Sequence, residues 1–145
     1  MTHTDLKPEN ILFLHNTFEE ITDEKLIPEH VKQKKEIFGS DYLSDFSEVS
    51  KKPYLKMKRT DIKIIDFGGA TFDHEYHSRI INTRHYRSPE VILGCGNWKE
   101  NSDIWSLACI LLEMYTGEML FSVHENIEHL VMIERLFGAI PKWMI

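Results

Sequence analysis

The sequence predicts an α+β fold that is mainly α. Three observations carry this. Two short apolar runs of strand type stand in the first half, Ile11-Leu12-Phe13-Leu14 and the stretch from Asp61 to Asp66. A run from Ser102 to Thr116 has helical length and is apolar on nearly every side. A further run, opening at Ser122, repeats apolar residues at helical intervals along one side only.

A chain of 145 residues is one domain's worth and can bury a core. Hydrophobic content of 42% with 28% charged residues is the composition of an ordinary soluble globular protein. A net charge of -6 argues against direct nucleic-acid binding. The basic residues are uneven, with Lys32, Lys34, Lys35, Lys51, Lys52, Lys56, Lys58 and Arg59 crowding the first half. Cys95 and Cys109 form no disulfide framework and have no metal-ligand spacing, which fits a reduced intracellular compartment. No apolar run reaches bilayer-spanning length, no secretory signal opens the chain, and no internal repeat is visible.

Residues 3–10 read as a loop broken by Pro8, and 11–14 as a strand. Residues 15–61 are polar and mixed in charge, with Pro28, Gly39 and Pro53; part of this stretch, around Glu29 to Phe38, has a weak helical pattern. A connection this long is usually functional or disordered. Asp61-Ile62-Lys63-Ile64-Ile65-Asp66 alternates and then runs apolar, as a buried strand does, and Phe67-Gly68-Gly69-Ala70 ends it with backbone freedom. Residues 71–89 carry no helical period and read as a long loop ending at Pro89; Glu90 to Leu93 is a short apolar turn. Ser102 is the expected cap of the helix to Thr116, with Gly117 as its stop. A helix that apolar should be buried all round, within a domain larger than its visible neighbours. Ser122-Val123-His124-Glu125 has capping-box spacing, Gly138 and Pro141 end the helix that follows, and Glu128, Glu134 and Arg135 give it a polar side.

The chemistry sits in His3-Thr4-Asp5-Leu6-Lys7-Pro8-Glu9-Asn10 and in Asp66-Phe67-Gly68. Alone, the first is more often a turn, and the second is a weak signal. Their order is informative: loop, strand, connection, strand ending in Asp66-Phe67-Gly68, then Ser88-Pro89-Glu90 and an apolar helix opening at Asp103. This series resembles the C-terminal lobe of a eukaryotic protein kinase, from the catalytic loop onward. Within that group the chain resembles the LAMMER (CDC-like, Clk) dual-specificity kinases. The resemblance rests on residues 3–13, Ala70-Thr71-Phe72-Asp73-His74-Glu75, Thr83-Arg84-His85-Tyr86-Arg87, and Glu128-His129-Leu130-Val131-Met132-Ile133-Glu134-Arg135. The last departs from the family pattern at Val131 and Ile133, both apolar-for-apolar changes. The match covers 3–14 and 62–145.

The resemblance implies a partial protein-kinase-like fold over 1–145: catalytic loop and strand at 3–14, an insert at 15–61, metal loop and activation segment at 62–90, and a helical lobe at 91–145. It implies ATP and Mg2+ as cofactors and Ser/Thr phosphorylation of proteins, Ser/Arg-rich splicing factors among them, in the nucleus, with no direct nucleic-acid or membrane partner. Asp5 would accept and orient the substrate hydroxyl, and Lys7 would meet the transferred phosphoryl group. Asn10 and Asp66 would hold magnesium through hard oxygen atoms. His3 would pack on Phe67, beside Gly68. Thr83 would hydrogen-bond near Asp5 and Lys7, and Arg87 would belong to the motif that closes the activation segment at Glu90. Glu90 would pair with an Arg beyond Ile145. Asp103 would accept hydrogen bonds from the catalytic-loop backbone; the competing account of it is charge complementarity at a helix N-terminus.

Thr4 departs from most kinases, which carry there an Arg that receives an activation-loop phosphate. Thr4 cannot make that contact, so loop 69–87 is expected to order without phosphorylation. Ser88, where Ala is usual, reads as structural. The insert's lysines are either a docking surface, a solvated insert or the trace of a misplaced splice boundary. No G-x-G-x-x-G occurs in the 145 residues and no ATP-anchoring strand Lys or helix Glu precedes His3. The isolated chain is therefore expected to be poorly stable, with negligible activity. The alternative is a truncated kinase-derived module that binds or regulates without catalysis.

Overall fold

The computed structural model describes residues 1–21 and 54–145. The helix expected around 29–38 lies outside the described residues. In chain order the elements are β1 (Ile11–Phe13), β2 (Phe18–Ile21), β3 (Tyr54–Met57), β4 (Ile62–Ile64), α1 (Pro89–Ile92), α2 (Glu100–Thr116) and α3 (Asn126–Phe137). Single 3-10 turns stand at Pro8–Asn10, Phe67–Gly69, Arg84–Tyr86 and Lys142–Met144. This is the helix-rich, strand-poor arrangement the sequence predicts. No described helix is long and apolar enough to cross a membrane.

The chain divides into two compact units, 13–63 and the pair of segments 1–12 and 64–145. In the first, β2 and β3 form an antiparallel ribbon with Phe18 opposite Met57 and Ile21 opposite Tyr54. The sequence reading assigns no strand here. Each strand is four residues long, and Phe18-Glu19-Glu20-Ile21 lacks the alternation that would announce it. Lys56 meets Glu19 across the ribbon at 3.8 Å, an exposed pair that adds little stability.

The other unit holds two apolar clusters. Tyr86, Cys109, Ile110, Phe121, Val123 and Ile133 form the larger, with Leu6, Ile11 and Trp105 packed against it. Ile81, Val91 and Trp98 form the smaller. Leu6, the loop ending in Tyr86 and helices α2 and α3 thus share one core. α1 contacts α3, and α2 contacts the turn at 84–86. β1 pairs with β4, and Ile65 N–H then donates to the Asn10 carbonyl at 3.0 Å. That bond sets the residue before Asp66 beside the end of the loop at 3–10.

Several expectations are corrected. β4 is not a buried strand, since Ile62 is 52% exposed and Ile64 is also exposed. α2 buries one face only, through Ser102, Ser106, Cys109 and Ile110, while Ile104 is 64% and Met114 60% exposed. The buried face begins with small hydroxyl residues because loop backbone approaches there too closely for large side chains. The helix also begins before Ser102. Its N-cap is Lys99, with no side-chain cap, and Ser102, at the third helical position, turns its hydroxyl to Asn82 at 2.8 Å. Gly117 does end α2, at φ 81, donating its N–H to Glu113 at 2.7 Å. α3 uses no Ser122–Glu125 box. Glu128 instead accepts the His124 N–H at 2.9 Å, tying the loop before the helix to its first turn. Of the two departures in α3, Ile133 sits in the core and Val131 is 43% exposed.

Candidate active site

Asp103 opens the site. It lies in the first turn of α2, and its Oδ2 and Oδ1 accept the backbone N–H groups of His3 at 2.6 Å and Thr4 at 3.0 Å. Both residues are buried, so these donors have no water to turn to. The geometry decides for the backbone-holding role and against simple dipole complementarity. It also stabilises an unusual backbone. Thr4 has φ 73, a left-handed conformation that is costly for a β-branched residue. Its carbonyl accepts from Asn82 at 2.8 Å and its hydroxyl donates to the Gly69 carbonyl at 2.8 Å. A Cβ at Gly69 would lie 2.8 Å from that hydroxyl, so residue 69 must be glycine for Thr4 to reach it.

His3 joins the two motifs. Its ring meets Phe67 edge-on with centroids 4.8 Å apart. Nδ1 accepts the Asp5 N–H at 3.3 Å, and the ring's other nitrogen, Nε2, lies 2.9 Å from the Ile65 carbonyl. An accepting Nδ1 leaves the proton on Nε2, where the carbonyl takes it, so one neutral tautomer satisfies both contacts.

Asp5 is held on both oxygens. Oδ1 accepts from the Thr83 N–H at 3.1 Å and the Thr83 hydroxyl at 2.7 Å. Oδ2 accepts from Lys7 Nζ at 2.7 Å. Burial pushes the Asp5 carboxyl up, but the hydrogen bonds from Lys7 and Thr83, with the Lys7 charge, outweigh it and hold it below its ordinary value. The bond to Asp5 raises the Lys7 ammonium in turn. Lys7 Nζ also reaches the Thr83 hydroxyl at 3.3 Å. Asp5, Lys7 and Thr83, 76 residues from Lys7 in the chain, therefore form one closed network.

Asn10 is buried, and its Nδ2 donates to the Asp5 carbonyl at 2.9 Å. That bond turns the amide so that its oxygen is the free atom. Asp66 has φ 65 and precedes the 3-10 turn Phe67–Gly69. It is exposed and its carboxylate has no hydrogen-bond partner among the described residues. One amide oxygen and one carboxylate are hard ligands that suit Mg2+, an ion that keeps waters and shares itself with phosphate. No group of three His, Cys, Asp or Glu able to hold a metal occurs among the described residues. A Cβ at Gly68 would stand 3.6 Å from Asp66 Oδ1, so Gly68 leaves that oxygen clear.

Arg87 is a clamp on its own loop. Nε donates to the Ile81 carbonyl at 2.9 Å and Nη2 to that of Asn82 at 2.8 Å. Burial first, and Arg84 second, press its guanidinium down from the ordinary value. Glu90 has no ion-pair partner among the described residues; its backbone carbonyl accepts Cys95 N–H at 3.0 Å.

Three contacts escape the sequence. The Tyr86 hydroxyl donates to Glu113 at 2.7 Å, and burial followed by that bond pushes the phenol up, so it stays a donor. Trp98 Nε1 donates to the Ser78 carbonyl at 2.8 Å. The His77 ring lies on Trp98 with centroids 4.4 Å apart. Each joins residues 20 or more apart in the chain, with no spacing to betray it; only the near-complete burial of Trp98 calls for a partner for its N–H.

Comparison with known proteins follows from this geometry. The protein kinase domain profile matches residues 51–143. The serine/threonine-protein kinase Doa of Drosophila melanogaster is 47% identical over 141 residues, covering 97% of this chain and 14% of that protein. The dual specificity protein kinase CLK2 of Homo sapiens is 45% identical over 145 residues, covering 100% and 24%. A crystal structure of a kinase domain superposes with a TM-score of 0.71 at 43% identity, covering 99% of this chain and 36% of that one. The chain thus spans less than a quarter of the length of these two curated relatives. The stretch from Asp5 to Asn10 precedes the residues matched by the profile and lies within the alignment to CLK2.

Proposed function

The chain belongs to the protein kinase family, and from that premise we propose that it supplies the phosphoryl-transfer half of a LAMMER-type dual-specificity kinase. The network of Asp5, Lys7 and Thr83 is the observation that carries this reading. Asp5 orients the protein hydroxyl and takes its proton, and Lys7 meets the phosphoryl group in flight. Asn10 and Asp66 would hold Mg2+ through their side-chain oxygens. When bound, that ion neutralises charge developing on the phosphate oxygens. Thr83 ties the substrate-side loop to Asp5, so the hydroxyl acceptor and the loop that receives the protein are positioned together.

The proposed substrates are Arg/Ser-rich proteins, splicing factors among them, and the proposed compartment is the nucleus. Support comes from the likeness to CLK2 and Doa and from a net charge of -6, which suits arginine-rich partners. The isolated 145 residues contain no Gly-rich loop, so the nucleotide-gripping groups come from elsewhere and the isolated chain does not turn over. One experiment tests both points. Radiolabelled phosphate transfer by the whole protein is compared between an Arg-Ser repeat peptide and a proline-directed peptide. The expected result is a higher kcat/KM for the Arg-Ser peptide and no transfer by the 145-residue chain. Preference for the proline-directed peptide would overturn the substrate class, and ordinary turnover by the isolated chain would overturn the division of labour.

The activation segment is proposed to order without phosphate. Thr4 is tied to Gly69, and Trp98 holds residues 77 and 78, all through neutral contacts. Among the described residues the Ser78 hydroxyl bonds its own loop, at the Ile80 carbonyl. Ser78→Ala is therefore expected to keep kcat within about twofold, the effect of about 0.5 kcal/mol typical of substitutions at exposed sites. Activity that depends on phosphorylated Ser78 would refute this.

A further inference from the structure

At the seam between loop 82–88 and α2 lies a chain of buried polar groups that phosphoryl transfer does not itself require. Ser88, Ser102 and Ser106 are fully buried and Asn82 is nearly so. The direction of their hydrogen bonds is determined. Ser102 gives its single hydroxyl proton to Asn82 Oδ1 at 2.8 Å. In its 3.0 Å contact with Ser102, Ser88 must therefore be the donor. Asn82 Nδ2 donates to Ser106 at 3.2 Å, and Ser106 passes its proton to the Tyr86 carbonyl at 2.8 Å, with the Ser102 carbonyl at 3.1 Å as second acceptor. Both ends of the Asn82 amide are thus fixed by α2.

The Asn82 backbone is fixed as well. It has φ 60, a left-handed conformation that Asn tolerates better than most residues. Its N–H donates to Thr4 and its carbonyl accepts from Arg87, both at 2.8 Å. The next residue is Thr83, which sends both its N–H and its hydroxyl to Asp5 Oδ1. A left-handed residue just before Thr83 sets the direction in which those two donors point.

We propose that Asn82 is a positioning residue for Asp5: its side chain, anchored to Ser102 and Ser106 of α2, holds the left-handed turn that presents Thr83 to the catalytic carboxylate. This rests on the reading of Asp5 as the group that meets the substrate hydroxyl. Buried, fully satisfied networks of this kind specify one geometry, because every broken link strands a polar group. The helix that holds the catalytic loop through Asp103 thereby also holds the substrate loop, through Asn82.

The test uses Asn82→Gly, which permits the left-handed turn but removes the amide. Ser106→Ala changes no loop residue but removes the acceptor on α2, together with the bond from Ser106 to the Tyr86 carbonyl, and serves if the first variant does not fold. Amide hydrogen exchange is measured in the whole protein. The Thr83 N–H is expected to lose about tenfold in protection, or about 1.4 kcal/mol, beyond any loss at Ile133 in α3. In the whole protein both variants should lower kcat while KM for ATP holds. Asn82→Gly should add nothing to Thr83→Ala, because both act through one link. Equal loss of protection at Thr83 and Ile133, or effects on kcat that multiply, would show a merely structural network and overturn the proposal. Absence of any transfer by the whole protein would sink the kinase reading alone, with the exchange result still deciding for Asn82.

Discussion

Asp5→Asn is expected to lower kcat of the whole protein about 10³-fold, within the roughly 10²–10⁴-fold span of a positioned acid–base group. The size follows from the hydrogen bonds. The Asp5 carboxylate accepts twice from Thr83 on one oxygen and once from Lys7 on the other. An amide offers one oxygen and one NH2, so a donor must face either Thr83 or the Lys7 ammonium. The substitution therefore removes the proton acceptor and disturbs the two residues that aim it. Hydrogen bonds hold the Asp5 carboxyl below its ordinary value against burial, so the base is ionised throughout the neutral range. With a depressed folded pKa, its contribution to stability is complete above the unfolded carboxyl value and disappears as pH falls through the folded one. Steady-state kinetics with an Arg-Ser peptide check the loss, beside a melting curve showing that the variant folds. A kcat within tenfold of wild type would remove Asp5 from the catalytic role.

Asp103→Ala is expected to cost the whole protein about 3 kcal/mol or more and to abolish its transfer. Hydrogen bonds to a charged acceptor contribute about 1.5–3 kcal/mol each. Two are lost, leaving the buried N–H groups of His3 and Thr4 without a partner. Thr4, at φ 73, would be released from a strained conformation. Asp5 follows it directly in the chain and would lose its aim. Helix-dipole complementarity alone would be worth only about 0.3–1 kcal/mol, so the magnitude separates the two accounts. Asp103→Asn keeps one acceptor oxygen and should fall between wild type and Ala. Denaturant unfolding gives the numbers, and an Ala variant as stable as wild type would return Asp103 to the dipole role.

The candidate site was legible in unequal parts. Asp5, Lys7 and Asn10 were readable because a single loop must present three chemical groups at fixed chain spacing. Asp66-Phe67-Gly68 gained meaning from its place after a strand. His3 on Phe67, and Thr83 beside Asp5 and Lys7, came through family likeness, and the geometry agrees. The four-residue strands β2 and β3 were missed because so short a segment without alternation leaves no period to detect. Ser102 looked like a cap because Ser is common there, yet its hydroxyl is spent on Asn82. Apolar residues around all of α2 suggested all-round burial, but burial depends on what packs against a helix, and among the described residues one face of α2 is buried.

By itself the sequence determined the kinase family, the order of its motifs and the identity of the groups proposed to act on phosphate. These are local properties, set by residue types at short spacing along one strand of chain. Only the tertiary structure decided how those groups are held. It showed that Asp103 bonds two backbone amides, that Gly69 must lack a side chain for Thr4, and that Asn82 links loop 82–88 to α2. Each joins residues 20 or more apart in the chain. A hydrogen bond across that distance depends on where the whole backbone places a donor and an acceptor, and composition and periodicity carry no record of it.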